Sequence, residues 1–371
     1  MARDALERLR LIRSRRVGAV TFHRLVEEHG SAAAALSALP EVARAAGVQD
    51  YSPCPVEVAE HEMRQARIAG ATMLCHGDAA YPPLLAQLPD APPVLWARGD
   101  AALLSRPMVA MVGARNASSL GLRMAKRLAV TLGEGGQVVA SGLARGIDAE
   151  AHLAALDGGT VAVMAGGVDV VYPEENAHLA AAIAERGCLV SEQPMGLQPQ
   201  ARHFPQRNRV VAGLSRAVVV VEAAARSGSL ITAREALELG REVMAVPGHP
   251  FDARAAGCNM LIRDGATLVR GAADVLEALG VQQQRNFGDE VDARPPLARP
   301  LPGPVPVARP LSQLAELHGQ ILARLGPSPM AEDQLIRDLA LPAAQVAPEL
   351  VALELDGAIT RQAGGLLARS V

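Results

Sequence analysis

The chain predicts an α/β protein: a doubly wound parallel sheet, preceded by a small helical domain and followed by a winged-helix-like domain. Three observations carry this reading. Over residues 105–279, short apolar runs are each followed by a Gly-rich turn and then by helical periodicity. Those runs lack polar alternation, as strands covered on both faces do, and strand–helix alternation of this kind builds a parallel sheet. On either side of that region the strand pattern gives way to short helical units.

The elements follow in order. Residues 1–75 read as a helical domain: Leu6, Leu9 and Ile12 at helical spacing, a Val17-Gly18 turn, then Phe22, Leu25 and Val26, with further helices over 32–39 and 56–68. Small helices joined by Gly turns resemble helix-hairpin-helix modules, or are generic helical padding. Residues 76–280 form the core, with strands expected over 108–112, 138–141, 161–165, 188–191, 217–222, 243–246 and 267–269. Residues 281–311 carry Pro295, Pro296, Pro300, Pro302, Pro304, Pro306 and Pro310 and read as an extended linker. Residues 312–371 resume helical periodicity at Leu314, Leu317, Ile321 and Leu325. Two further short helices and a small hairpin around Gly364-Gly365 complete a winged-helix pattern.

Composition narrows the function classes. The 371 residues carry a net charge of -3, which excludes a globally basic nucleic-acid binder but leaves a local basic groove open. Lys126 is the only lysine among 36 Lys and Arg, so nearly every cation is a planar fork suited to phosphates and bases. No stretch reaches the ~18 apolar residues of a membrane span. The start, MARDALERLRLIRSRR, lacks the apolar segment of a secretory signal. The cysteines Cys54, Cys75, Cys188 and Cys258 are scattered, which fits a reducing cytoplasm and no metal.

Chemistry concentrates in five loops at expected strand C-termini, where open α/β sheets bind ligands. The first is Val112-Gly113-Ala114-Arg115-Asn116, leading into a helix whose N-terminus favours an anion. The second is Ser141-Gly142-Leu143-Ala144-Arg145-Gly146-Ile147-Asp148. Here Arg145 can reach a phosphate and Asp148 can cap the next helix. His152, one turn on, reads as an ordinary helix histidine rather than a partner of Asp148. The third is Gly166-Gly167, followed by Tyr172-Pro173. The fourth is His203-Phe204-Pro205-Gln206-Arg207-Asn208-Arg209, expected as a loop. No acidic residue stands between Glu192 and Glu222, so Arg202, Arg207, Arg209 and Arg216 suggest a positive patch. Phe204 among these cations is either a base-stacking platform, as single-stranded nucleic acid uses, or a buried loop anchor. The fifth is Ser227-Gly228-Ser229, with a helix expected from Thr232.

The dinucleotide fingerprint GxGxxG and the P-loop GxxxxGK[ST] are both absent, so no NAD and no ATP hydrolysis are expected, and no cofactor. No nucleophile–base–acid set stands out. The five loops describe an anion-binding surface better than a reaction centre.

These motifs in this order resemble the DprA/Smf family, the DNA-processing protein A of bacterial transformation. The matching runs are Tyr81-Pro82-Pro83-Leu84-Leu85, Pro92-Pro93-Val94-Leu95-Trp96, VGAR at 112–115, SGLARGID at 141–148, FPQRNR at 204–209, SGSLITA at 227–233 and AVPG at 245–248. Gly257-Cys258-Asn259, Leu261-Ile262 and Gly265-Ala266 complete the set. The resemblance covers about 75–285 and implies an extended Rossmann-like core that binds single-stranded DNA without hydrolysing it. It further implies a homodimer and the loading of RecA onto that DNA in natural transformation. Motif matching assigns DNA contact to Arg115, Gly142, Arg145, Phe204, Arg207 and Arg209. Phosphate-contacting loops are assigned to Gly113, Ser141, Gly166, Gly167, Asn208, Ser227, Gly228 and Ser229. Some members have a lysine where this chain has Glu174, which puts that contact in doubt. The tail would contact duplex DNA or a protein, although it has few basic residues. An enzymatic alternative rests on SGSLITARE at 227–235, which resembles the phosphate loop of LOG-type nucleotide phosphoribohydrolases, with Glu235 in the place of their acid.

Overall fold

A computed structural model describes residues 2–281, 311–362 and 366–370. Four helices open the chain: α1 (Ala2–Arg13), α2 (Ala19–His29), α3 (Ala32–Ala45) and α4 (Val56–Ile68). Leu11, Phe22, Leu25, Leu36 and Leu39 give them a core of their own. The opposite side of α1 and α4 packs on the sheet, where Leu9, Ala59 and Ala66 meet Trp96, Ile183 and Leu189. A buried carboxylate fastens that contact. Glu62 accepts from Arg13 at 2.8 and 2.9 Å and from the Trp96 indole at 2.8 Å.

The core alternates as its sequence periods require: β1 (Ala71–Cys75), β2 (Val94–Gly99), β3 (Met108–Val112), α5 (Ser119–Glu134), β4 (Val138–Ser141), α6 (Ile147–Ala154), β5 (Thr160–Val163), α7 (Ala177–Arg186), β6 (Cys188–Ser191), α8 (His203–Leu214), β7 (Ala217–Val220), α9 (Ser229–Glu238), β8 (Glu242–Ala245), α10 (Ala256–Arg263), β9 (Thr267–Leu268) and α11 (Ala272–Ala278). Among the described residues these form one nine-stranded sheet in the order β1-β2-β6-β5-β4-β3-β7-β8-β9. From β6 to β9 all pairings are parallel, while β2 joins β6 and β1 joins β2 antiparallel.

Side-chain alternation on the strands explains why both faces are covered. Ala110, Val112 and Val220 point to one side, onto Val210 and Val211 of α8 and Ala233 of α9. Val109, Met111 and Val219 point to the other, onto Leu128 of α5, Ile147 of α6 and Val275 of α11. The order β5-β4-β3-β7-β8-β9 reverses direction between β3 and β7. A doubly wound sheet opens a crevice at such a point, outside the strand C-termini.

Three differences from the sequence reading have physical causes. The strands β1 and β2 differ from the sequence reading: β1 lies inside the 1–75 span read as helical, and β2 lies within a proline-flanked run. His203–Arg209 is not a loop but the first half of α8. Pro205 is tolerated there because the first-turn N–H groups of a helix have no partner inside it. The helix α9 begins at Ser229, three residues before Thr232.

The tail comprises α12 (Leu311–Arg324), β10 (Met330–Ala331), α13 (Glu332–Leu339), α14 (Ala343–Leu355), β11 (Ile359–Gln362) and β12 (Leu366–Arg369). Its short strands pair antiparallel in the order β10-β12-β11, and Leu317, Ile321, Leu335, Leu350 and Leu367 fill a separate core. It docks beside the crevice. Arg254 donates to the carbonyls of Ala323 (2.6 Å) and Leu325 (2.9 Å), and Arg123 pairs with Asp338 at 3.0 Å. The proline-rich linker expected over 281–311 lies, except for its two ends, outside the described residues.

Candidate nucleic-acid interface

At the β3/β7 reversal the structure opens a cleft of about 1050 Å³. Its walls are the loops after β3, β4, β7 and β8 together with the first turns of α8, and residues Pro327 and Arg369 of the tail border it.

The loop after β3 is held so that Arg115 and Asn116 stand exposed. Ser118 caps α5, accepting from Gly121 N–H at 3.0 Å, and its own N–H donates to Glu222 at 2.8 Å. Burial pushes the Glu222 carboxyl up, and the Ser118 bonds draw it back. The next turn is fixed to this loop at Gly146, where φ is +73 and an added Cβ would collide with the Ala114 carbonyl. A side chain there would force the two loops apart.

The Arg115 guanidinium lies 5.8 Å from the centre of the Phe204 ring, and the Tyr172 ring centre lies 5.7 Å from the same ring. A cation over an aromatic face at this distance is attracted by the ring quadrupole. The fold thus brings VGAR, at the end of β3, onto the FPQRNR segment. Arg115 has no ion pair among the described residues, and neither does Arg226, exposed on the loop after β7.

Arg207 has a different place. The α8 stripe His203, Arg207, Val210, Val211 and Leu214 faces inward, and Arg207 takes a core position in it. Its guanidinium donates to the Gly142 carbonyl, to the Val163 carbonyl at 3.1 Å and to Asn208 Oδ1 at 3.1 Å. A Cβ at 142 would overlap that guanidinium, so any side chain there would displace Arg207. Asp148 provides the countercharge, and it also accepts from the N–H groups of Gly142 (3.2 Å) and Ala144 (3.3 Å). Burial pushes the Asp148 carboxyl up and Arg207 opposes that. The same burial, reinforced by the Arg207 charge, pushes His152 down to about 3. His152 bonds Thr160 Oγ1 at 2.7 Å, so it is a core histidine and not a partner of Asp148.

Of the residues singled out in the sequence, Gly113, Arg115, Gly142, Phe204, Arg207, Asn208, Ser227, Gly228 and Ser229 line the cleft. Five do not. Ser141 is buried and donates to the Met111 carbonyl at 2.5 Å. Gly166 and Gly167 are covered by residues 194–199, with Gly167 N–H bonded to the Leu197 carbonyl at 2.9 Å. Arg209 is spent on Glu192 at 2.6 Å and Asp90 at 3.4 Å, away from the cleft. Arg145 pairs with Glu175 at 2.5 Å and faces a second cavity, between α6, α7 and the tail. The acid-free window of 192–222 is therefore not a positive patch, since acids remote in sequence neutralise two of its arginines. Glu235 is also absent from the cleft wall.

Sequence reasoning overlooked Arg226, Phe251 and Arg254, all on the cleft wall. The first directly precedes the Ser227-Gly228-Ser229 turn, a usable signal. The other two belong to the loop after β8, which the sequence reading does not count among the ligand loops.

A family profile described as DNA recombination-mediator protein A matches residues 72–280. A DprA-like N-terminal HHH domain matches residues 2–65 and a DprA winged helix domain residues 305–365. The Smf protein of Synechocystis sp. is 36% identical over 308 residues, covering 77% of each chain. The crystal structure of DNA processing protein A from Streptococcus pneumoniae superposes with a TM-score of 0.60 at 36% identity, covering 74% of this chain and 95% of that one. A structure of DNA processing protein A from Helicobacter pylori, described for its single-stranded DNA binding mode, superposes with a TM-score of 0.52 at 29% identity, covering 56% and 95%.

Proposed function

The chain belongs to the DNA recombination-mediator protein A family, and from that premise we propose that its cleft binds single-stranded DNA, which the protein then offers to RecA. One observation carries the reading: an exposed, unpaired Arg115 set over the Phe204 ring at the sheet's reversal point. A phosphate clamp beside a stacking surface suits a flexible strand whose bases are accessible, and every base offers a π face, so the binding would be largely independent of sequence. The Helicobacter pylori relative, described by its single-stranded DNA binding mode, supports the reading.

The chain's residues act here by holding and orienting. Asp148, Arg207 and Gly142 fix the β4 turn, Glu222 and Ser118 fix the β3 turn, and Arg115, Arg226 and Phe204 meet the strand. Homodimerisation, RecA loading and a cytoplasmic site of action belong to the same reading, as does a contact of the winged-helix domain with duplex DNA or a protein.

The test is a labelled oligothymidylate titrated against salt and challenged with unlabelled duplex. Tight binding that resists duplex and falls with salt is expected. Arg115→Ala should weaken all sequences alike and reduce the salt slope by about 1. Unchanged affinity of that variant overturns the assignment, and release of adenine from AMP by the purified protein would replace it with the phosphoribohydrolase alternative.

A further inference from the structure

Phe251 is 73% exposed, the most exposed of the described Phe, Tyr and Trp rings, and it stands on the rim of the same cleft. Its loop, after β8, is pinned. Asp252 N–H bonds the His249 carbonyl at 2.9 Å, and Ala255 N–H bonds the Asp252 carbonyl at 2.9 Å. Gly248 and Asn259 exchange bonds of 3.2 and 3.0 Å across the base of the loop. The His249 ring lies 5.7 Å from the Phe251 ring at 38°, and its Nδ1 accepts from the Phe251 N–H at 3.3 Å. A phenylalanine held in water by this many bonds keeps apolar surface wet that an ordinary fold would bury. The docked winged-helix domain does not cover it, although Arg254 of the same loop bonds that domain's carbonyls.

What would cover Phe251 is indicated by its surroundings. The cleft between Phe251 and Phe204 is bordered by the free cations Arg115 and Arg226, which favour an anionic polymer over an apolar peptide. We propose that Phe251, backed by His249, is a second base-stacking platform, which takes a nucleobase of the same strand that stacks on Phe204. This rests on the single-stranded DNA reading given above. The two rings take different bases. From the end of β3, where Phe204 meets Arg115, to β8 the sheet runs two strand spacings, about 10 Å, whereas stacked neighbours in a strand are about 3.4 Å apart. Phosphates between the two bases would then pass Arg115 and Arg226, and the strand would cross the reversal point from β3 toward β8.

Full-length protein and a labelled oligothymidylate of ~12 nucleotides, within the span of known single-strand sites, provide the test. Phe251→Ala should weaken binding roughly 5- to 150-fold, the worth of one stacked base, with unfolding unchanged. Phe251→Trp should bind like the parent protein, and its added indole should be quenched by the DNA. Trp96, the only native tryptophan, is buried against Glu62 and supplies a constant background. If Arg115→Ala loses binding while Phe251→Ala keeps it and the Phe251→Trp signal stays still, the platform alone is overturned. If Arg115→Ala and Phe251→Ala both bind like the parent, the cleft reading falls, and the platform with it.

Discussion

Arg207 and Arg115 both line one cleft, yet they are opposite kinds of cation. The first is buried on the inward stripe of α8, bonded to two carbonyls and balanced by Asp148. The second is exposed at the end of β3, over an aromatic ring and with no ion pair among the described residues. Arg209 sides with Arg207, and Arg226 with Arg115. A charged residue's availability is thus set by the element that carries it. A helix packed on a sheet turns every third or fourth residue inward, charged or not, whereas a short turn at a strand's end leaves its side chain in solvent. The buried Arg207 builds the cleft, Arg209 is held by acids away from it, and the exposed arginines remain open to a ligand.

The sharpest way to break that division is to truncate one arginine of each kind. Removing Arg207 leaves the Asp148 charge and the Gly142 and Val163 carbonyls without their donor. Breaking a buried charge pair costs about 3–5 kcal/mol, so Arg207→Ala should shift the denaturant midpoint strongly and lose DNA binding as a consequence. Arg115→Ala should leave stability within about 0.5 kcal/mol, as surface changes do, and still lose DNA binding. Denaturation followed by Trp96 fluorescence, set beside oligonucleotide titrations, checks both. If Arg207→Ala kept the parent midpoint, the two arginines would not differ in kind.

A second, smaller effect sharpens the comparison through pH. Glu192 and Arg209 have side chains only 16% exposed. Burial pushes the Glu192 carboxyl up, and Arg209 pulls it part of the way back. In Arg209→Ala that restraint is lost and the folded-state value rises further. A carboxyl whose folded pKa lies above its unfolded value costs nothing while protonated in both states, and its penalty grows as pH rises past the unfolded value. The variant's destabilisation, about 1–3 kcal/mol at neutral pH, should therefore shrink toward pH 4. Unfolding midpoints at several pH values measure this, and a loss that grew on acidification would contradict the pairing.

How much of this was legible in the sequence follows the same line. Strands buried on both faces announced themselves as unbroken apolar runs, and 108–112, 138–141 and 188–191 were bounded correctly because charged or turn residues flank them. The cleft was legible wherever a ligand loop is short and local, as at Val112–Arg115 and Ser227–Ser229. It was not legible where the answer depends on a partner far along the chain. Nothing near Arg209 reveals that Glu192 and Asp90 will neutralise it, and nothing near Gly166 reveals the cover from 194–199. The α8 error has a local cause. Pro205 and a run of polar residues look like a loop unless the register His203, Arg207, Val210, Val211, Leu214 is read as one face with an arginine in it.

Arg145 lies between the two kinds and carries the finest test. It is exposed like Arg115, but it is paired with Glu175, and the two side chains are 60% and 50% exposed. Such a pair contributes about 0–1 kcal/mol to stability, so neither Arg145→Ala nor Glu175→Gln should move the unfolding midpoint measurably. Their effects on DNA should have opposite signs. Arg145 opens on the cavity beside the cleft, which Arg115 and Asn116 also border. Glu175→Gln frees its guanidinium and removes a negative charge near the strand's path. Affinity should rise by less than about fivefold, the ceiling set by an exposed pair, and the gain should vanish at high salt, where such charges are screened. Arg145→Ala should lose affinity by a similar factor, well short of the loss in Arg115→Ala. If Glu175→Gln left affinity unchanged at low salt while Arg145→Ala matched Arg115→Ala, Arg145 would already meet the strand directly, and pairing with a surface acid would not withhold an arginine from DNA as burial in α8 does.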